Sequence, residues 1–184
     1  MVSILLEAAA QVLERDGLEG FTTNAVAQRA GVGVGSLYQY FPNKDALVLA
    51  LMRREDEAFD AAAERSREAA TGAEGLAVIV RAAAEQQLLR PELARLLDVQ
   101  QALPELRAEV GGAGVLLGLI RALLDRPDLP RQPRADVAAR DVLAIVRGLT
   151  DTAGEYGERS VPELERRVSR AVFGYLEAMG VHDD

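Results

Sequence analysis

The sequence contains no cysteine and a single histidine, His182, near its end. The absence of cysteine excludes disulfide bonds, thiol nucleophiles and cysteine-ligated metals together. A lone histidine does not provide the ligand spacing of a metal site, so we expect no metal and no other cofactor. The sequence also lacks a nucleophile elbow. We therefore expect that the protein is not an enzyme and has no catalytic residues.

Long hydrophobic runs are missing as well. The longest, Val110 to Ile120, has 11 residues, whereas a membrane-spanning helix needs about 20. The first residues follow an amphipathic helical pattern without the basic start of a signal peptide. The sequence thus predicts a soluble, cytoplasmic protein with no membrane partner.

Positive charge is scarce, and the formal net charge is −8. Residues 1–54 hold five basic and five acidic side chains, so the whole negative excess falls in residues 55–184. A neutral end can approach nucleic acid while an acidic body faces away. Because this end has no basic patch, hydroxyls, backbone N–H groups and helix N-termini must supply most phosphate contacts.

What the sequence does contain is helical periodicity. Apolar residues recur at helical spacing, and no β-branched run alternates as in a strand. We predict an all-α fold of about nine helices, with a three-helix head at residues 1–46 and a helical body at 47–184. A long fourth helix, 43–70, joins the two. The first helix is predicted at 4–14. The seventh, 104–124, is apolar on nearly all sides, which indicates a buried helix.

Residues 21–44 are the most informative stretch. They indicate two short helices joined by a tight turn, followed by the start of a third helix. Thr22 or Thr23 can cap the first helix through a side-chain oxygen. Gly31 stands where a chain leaving a helix often adopts positive φ. Two short helices about a glycine-containing turn are typical of a DNA-binding helix-turn-helix.

The second helix, predicted at 35–41, is unusual for a core element. Only Leu37 and Phe41, four residues apart, can dock it. Its polar residues are expected to face outward, with hydroxyls suited to phosphate oxygens and an amide suited to a base edge; they are Ser36, Tyr38, Gln39 and Tyr40. The alternative is an ordinary helical hairpin with exposed tyrosines.

The segment GSLYQYFPNK at 35–44, preceded by AQRAGV at 27–32, resembles the signature of the tetracycline-repressor (TetR) family. The resemblance extends from about Ile4 to Met52. It implies a sequence-specific transcriptional regulator, a homodimeric repressor of a palindromic double-stranded DNA operator that a small ligand releases, with ligand binding and dimerisation in residues 47–184. The mainly apolar helices of that body favour an apolar or weakly polar ligand. At the matching positions it implies DNA contacts for Thr23, Val34, Gly35, Ser36, Tyr38, Gln39, Tyr40 and Lys44.

Two features depart from the family pattern. Many members carry Lys at the position of Val34, and many carry Arg or Lys before the first helix, where this chain has only Met1, Val2 and Ser3. The missing basic arm and the neutral head keep an alternative open, a ligand-binding or interaction module of the same fold with weak or lost DNA binding. A strong salt dependence of DNA binding would exclude that alternative.

Polar and small residues on otherwise apolar helices of the body are candidate ligand-binding positions. Glutamines on apolar faces need partners, and missing side chains leave room for a ligand. The candidates are Gln87, Gln100, Gly114, Gly118, Arg121, Arg147 and Asp151. Each has a plainer alternative: backbone bonding for the glutamines, close helix packing for the glycines, and a helix-surface ion pair for Arg147 and Asp151.

The last two helices, predicted at 135–153 and 161–179, follow a proline-rich surface loop at 125–134. In the family, this helix pair forms a four-helix dimer interface with its symmetry mate. The resemblance assigns to that interface Ala144, Gly148 and Thr152 on the eighth helix, and Leu164, Val168, Ala171, Val172 and Tyr175 on the ninth. Burial of these residues within one subunit is the alternative.

Overall fold

The computed structural model describes residues 1–101 and 113–181, without the side chains of 98–101 and 113. In these ranges the regular structure is helical, which confirms the all-α prediction. An isolated β-bridge pairs Arg131 with Val181. The helices are α1 Val2–Gly20, α2 Thr23–Ala30, α3 Val34–Tyr40, α4 Lys44–Glu64, α5 Gly72–Leu89, α6 Pro91–Gln101, α7 Ala113–Leu124, α8 Ala135–Glu155 and α9 Val161–Met179, with a 3₁₀ turn at Arg65–Glu68 after α4.

The chain divides into two compact units. The first comprises Met1–Asp56 and Glu92–Gly111, and the second Glu57–Pro91 and Gly112–Asp184. The first unit therefore includes α6, which the sequence analysis placed in the body. The predicted functional division at 46/47 stays a prediction.

The first unit is built around one apolar core. Leu5, Leu13, Phe21, Leu37 and Leu47 are all fully buried in it. α1 is longer than predicted, but Gly17 interrupts it with φ 65° and ψ −170°. Glycine tolerates positive φ best because it has no Cβ. The predicted end of the first helix near this glycine is thus a kink, after which one more turn of helix follows.

α4 is shorter than predicted, and the reason lies just after it. It ends at Glu64, tightens into the 3₁₀ turn, and the chain becomes extended at Ala69 with φ −62° and ψ 142°. Thr71 then caps α5 by accepting from the Glu74 N–H group, while the Glu74 carboxylate accepts from the Thr71 N–H group. This capping box starts a new helix where the prediction had the fourth helix ending.

The second unit packs its buried side chains between α5, α7, α8 and α9. The prediction that this apolar helix, α7, is buried on nearly all sides is wrong. One face, including Leu119, Ile120 and Leu123, lies in the core, whereas Gly114 and Val115 are exposed. The apolar character of the whole helix therefore does not reflect burial on every side. The predicted start of this helix at 104 lies outside the described residues.

The loop at 125–134 is only partly a surface loop. Leu129 and Gln132 are buried. The Gln132 Nε2 atom donates to the carbonyls of Pro130 and Leu176, each at 2.9 Å. The loop is therefore fixed to the last turns of α9. No helix in the described part of the chain is long and apolar enough to cross a membrane.

Candidate functional site

α3 presents almost all of its polar surface to solvent. Leu37 is fully buried and anchors the helix. The exposed fractions of Val34, Tyr38 and Tyr40 are 38%, 48% and 46%. The remaining candidates on this helix, Gly35, Ser36 and Gln39, are exposed as well. A seven-residue helix docked by so few apolar contacts leaves its other side chains available to an external partner.

The turn before α3 is locally specified. Thr22 caps α2 by accepting from the Ala25 N–H group at 3.1 Å. Gly31 ends α2 with φ 70°, and the Val32 N–H group donates to the Ala27 carbonyl at 3.0 Å. This six-to-one bond with a left-handed glycine is a Schellman motif. It sets the direction in which the chain enters α3.

Two of the predicted contact residues are bonded to each other. The Thr23 Oγ1 and Tyr38 hydroxyl oxygens lie 3.0 Å apart. The pair links the start of α2 to the middle of α3. Each hydroxyl keeps additional hydrogen-bonding capacity, because a hydroxyl can donate once and accept twice.

Lys44, the only lysine in the chain, already has partners within the first unit. Its Nζ donates to the Leu18 carbonyl at 3.1 Å and lies 5.5 Å from the centroid of the Phe21 ring. The ammonium thereby ties the start of α4 to the last turn of α1. Because an ammonium has three donors, it can hold this carbonyl and still contact a phosphate.

Most other basic side chains of the first unit are also bonded within it. Arg15 pairs with Asp16 at 2.6 Å and thereby lowers the pKa of the Asp16 carboxyl. Arg29 Nε donates to Gln11 at 2.7 Å. Arg54 contacts Glu7 at 3.2 Å. These internal partners reduce the positive charge that the first unit can offer to an external partner.

Among the ligand candidates, Gln87 is buried as its apolar face predicts. A Cβ added at Gly154 would stand 2.3 Å from Gln87 Nε2. The amide therefore occupies space that exists because residue 154 has no side chain. The side chain of Gln100 lies outside the described residues.

The glycines of α7 lie on an open face. No described atom comes within 4 Å of a Cβ built at Gly114 or at Gly118. Close helix packing among the described residues therefore does not explain them. The structure is compatible with the ligand interpretation of these two positions, which stays a prediction.

The charged candidates have plainer surroundings. Arg121 Nε donates to Asp136 at 3.0 Å, and its guanidinium also pairs with Asp125. It thus joins the end of α7 to the start of α8. Arg147 and Asp151 are exposed on α8, whereas Gln87 is buried.

The predicted dimer seam needs one correction. Leu164, Val168 and Val172 are 0% exposed, because this face of α9 packs into the core of its own unit. These three side chains cannot contact a second copy. Ala171 and Tyr175 are half-buried. On α8 the predicted residues Ala144, Gly148 and Thr152 are exposed.

Sequence reasoning missed the exposed small residues of α9, which are Gly174 and Ala178. Their spacing of three and seven residues from Ala171 was the available signal. It also missed a bond between the last two helices. The Tyr175 hydroxyl donates to Asp141 Oδ2 at 2.6 Å, and burial, followed by this bond, raises the pKa of Tyr175 to about 12.

Comparison with known proteins places these features in context. Residues 5–51 match the family described as bacterial regulatory proteins, tetR family. Over 62 residues the chain is 40% identical to the HTH-type transcriptional repressor KstR of Mycolicibacterium smegmatis, covering 34% of this chain and 30% of the relative. Over 77 residues it is 30% identical to the fatty acid metabolism regulator protein of Bacillus subtilis, covering 41% and 40%. The similarity thus spans 30 to 40% of the length of these curated relatives.

The fold as a whole is similar to solved structures. The Bacillus subtilis transcriptional regulator FadR in complex with stearoyl-CoA superimposes with a TM-score of 0.76 at 20% identity. The match covers 99% of this chain and all of that one. At this identity the likeness concerns the fold alone.

Proposed function

We propose that this chain, whose residues 5–51 belong to the tetR family of bacterial regulatory proteins, is a DNA-binding transcriptional repressor released by a small ligand. The observation that carries the proposal is α3. It is docked by the fully buried Leu37, while its hydroxyl and amide side chains remain in solvent. Such a helix can enter the major groove and present those groups to bases and phosphates.

Roles follow from chemistry and exposure. Val34, Gly35, Ser36 and Gln39 would approach base edges, and the amide of Gln39 would form the most specific contact. Val34 offers an apolar contact to a thymine methyl group. The hydroxyls of Thr23, Tyr38 and Tyr40 would bind phosphate oxygens, together with the Lys44 ammonium. We assign DNA binding to residues 1–46, and ligand binding and dimerisation to 47–184.

A homodimer is the second part of the proposal. A single helix-turn-helix reads few base pairs, and a two-fold dimer bound to a palindrome reads two half-sites. Gly148 on α8 and Gly174 on α9 are exposed, and no described atom lies within 4 Å of a Cβ built at either position. A helical glycine costs roughly 0.5–1 kcal/mol relative to alanine. The close approach of a second copy would account for that cost.

The ligand is proposed to be apolar or weakly polar. Support comes from the apolar composition of α7 and from its open face at Gly114 and Gly118. A similar regulator of Bacillus subtilis is named for fatty acid metabolism, and the structure of FadR from that organism was solved with stearoyl-CoA. The acyl chain of these compounds suits an apolar site, whereas a carboxylate or CoA head adds charge. Long-chain acyl compounds with and without a charged head are therefore the first compounds to test.

The test is selection from a random-sequence DNA library with the full chain at two salt concentrations. We expect an enriched palindrome with two half-sites. Tyr38→Phe should weaken binding to all selected sequences, and Gln39→Ala should relax the preference at one position per half-site. Tyr156→Phe and Gln86→Ala are matched controls, because both residues are exposed in the second unit.

Failure of the wild-type chain to enrich any sequence at either salt concentration would overturn the proposal. The same-fold ligand-binding or interaction module would then be the better description. Enrichment that is equally strong in Tyr38→Phe and Gln39→Ala would show that DNA is bound through another surface than α3.

A further inference from the structure

The connection between α4 and α5 is held by a loop more than 50 residues away in sequence. After the 3₁₀ turn at Arg65–Glu68, the chain becomes extended at Ala69 and then enters α5 at Gly72. Side chains of loop 125–134 bond to the main chain of this connection. These hydrogen bonds therefore depend on the path of the connecting backbone.

Two side chains make these contacts, and we call them the clasp: Arg126 and Asp128. The Arg126 guanidinium donates to the carbonyls of Arg67, at 3.0 Å, and Ala69. Asp128 accepts from the N–H groups of Gly72 at 2.8 Å and Ala73 at 2.9 Å, one with each carboxylate oxygen. One side chain thus holds the end of the turn and the other holds the start of α5.

The end of α7 presses on the same connection. A Cβ at Gly72 would stand 2.8 Å from the Leu123 carbonyl oxygen. A Cβ at Gly75 would stand 2.3 Å from Leu123 Cδ2 and 3.0 Å from the Ser66 carbonyl oxygen. Since neither glycine has room for a side chain, the start of α5 packs directly on α7. A displacement of Leu123 toward α5 would therefore push on the connection.

The 3₁₀ turn itself contains an unsatisfied polar group. The Ser66 side chain is fully buried, and its Oγ has no hydrogen-bond partner in the described part of the chain. Buried hydroxyls are normally bonded, because leaving one unpaired is unfavourable. Contacts around the turn, among them the clasp, must therefore offset the unfavourable burial of this hydroxyl.

We propose that Arg126 and Asp128 are positioning residues that couple α7 to the end of α4. They hold the α4–α5 connection against the last turn of α7, so that a shift of α7 changes the backbone setting at the end of α4. The proposal rests on the function proposed above, in which a ligand at the open face of α7 releases DNA. The coupling has a physical basis, because the contacts of Leu123 and of the clasp with the α4–α5 connection change when α7 moves.

The test compares the full-length wild type with Arg126→Gln, Arg126→Lys and the control Arg134→Gln, an exposed arginine of the same loop. Hydrogen exchange reports on residues 65–75 in the free protein. Fluorescence anisotropy reports on affinity for the selected operator and on its release by stearoyl-CoA. A separate titration reports on stearoyl-CoA binding.

We expect Arg126→Gln to speed exchange at 65–75 by about tenfold, and Arg134→Gln to leave it unchanged. Arg126→Gln should keep its affinity for operator and for stearoyl-CoA, yet need about tenfold more stearoyl-CoA for release. Arg126→Lys should restore part of the response. A merely structural role would change all affinities together and not the release alone.

Unchanged exchange at 65–75 in Arg126→Gln, or release equal to that of the wild type, would overturn the proposal. If stearoyl-CoA does not release the wild type, stearoyl-CoA is not the ligand, and this result by itself does not concern the clasp. The clasp is then tested by the reciprocal effect. Binding of operator DNA is expected to change hydrogen exchange at residues 65–75 in the wild type. Persistence of that effect in Arg126→Gln would count against coupling, and its loss would support it.

Discussion

At the scale of single residues, the clearest result is that side chains with a functional interpretation also have structural partners. Lys44 holds the Leu18 carbonyl, Gln87 lies over Gly154, and Arg121 joins Asp125 and Asp136. A residue in such a position affects stability and binding together. Experiments on these positions must therefore measure both.

Tyr175 gives a prediction with a defined pH window. Its pKa is raised from 10.0 to about 12, so the fold favours the neutral phenol. The stabilisation is complete below pH 10 and is lost as the pH rises through about 12. We expect Tyr175→Phe to lower the free energy of unfolding by about 1 kcal/mol at neutral pH. Urea denaturation followed by circular dichroism should show this difference shrinking above pH 10.

The control for this prediction is Tyr156→Phe, because Tyr156 is 82% exposed. Its free energy of unfolding should equal that of the wild type at neutral pH. A Tyr175→Phe difference that stays constant through the alkaline range would show that the hydroxyl bond to Asp141 is not its source.

Asp128 gives the opposite pH dependence. The N–H groups of Ala73 and then Gly72 lower the pKa of its carboxyl below 3.8. Its contribution is therefore present above pH 3.8 and is lost as the pH falls through the lowered pKa. As Asp128 acts as a helix cap, we expect Asp128→Ala to cost about 1 kcal/mol at neutral pH. Acid titration of stability should show the wild type and the variant converging, while Glu177→Ala, at an exposed position, follows the wild type throughout.

At the scale of elements, α3 and the start of α4 divide two tasks. α3 carries the groups that can distinguish bases. Lys44, at the start of α4, carries a positive charge that can pair with any phosphate. The same lysine fixes the end of α1. Specificity and non-specific affinity should therefore respond to different substitutions.

Lys44→Gln should weaken binding to specific and random DNA alike and reduce the salt slope by about 1 per subunit. Gln39→Ala should leave the salt slope unchanged and cost about 1–3 kcal/mol at one base position. Titrations over a series of salt concentrations measure both quantities. A loss of base preference in Lys44→Gln would show that the lysine acts chiefly by placing α3, and its unfolding midpoint would then fall as well.

At the scale of the whole molecule, the proposed repressor requires a second copy of the chain. Within one chain, α9 buries the face with Leu164, Val168 and Val172 and exposes the face with Gly174. α8 exposes Ala144 and Gly148. A two-fold interface would place the same patch of both chains in contact.

Gly148→Arg should abolish the dimer without unfolding the monomer. A Cβ built at this position meets no described atom within 4 Å in its own chain, whereas an arginine side chain on the exposed face would block the approach of a partner helix. Light scattering after size exclusion should show a single subunit mass, with operator affinity lost in parallel. Gln86→Arg, exposed on α5, is the control and should stay dimeric. A dimeric Gly148→Arg would place the interface elsewhere.

The sequence by itself determined the helical class, the helix-turn-helix and the outward polar face of α3. These features depend on local rules: Thr22 caps α2, Gly31 takes a left-handed conformation, and Leu37 docks the helix. Their information lies within a few residues of each position. Sequence reasoning could therefore read them without knowing the rest of the fold.

Only the tertiary structure decided which face of α9 is internal, where α4 ends, and which charges are already paired. Val168 is on the buried face because α5 and α8 pack there, while helical periodicity alone cannot tell an internal apolar stripe from an interface. Arg126 and Asp128 bond to residues more than 50 positions away. Such contacts depend on the whole path of the chain, and no local spacing encodes them.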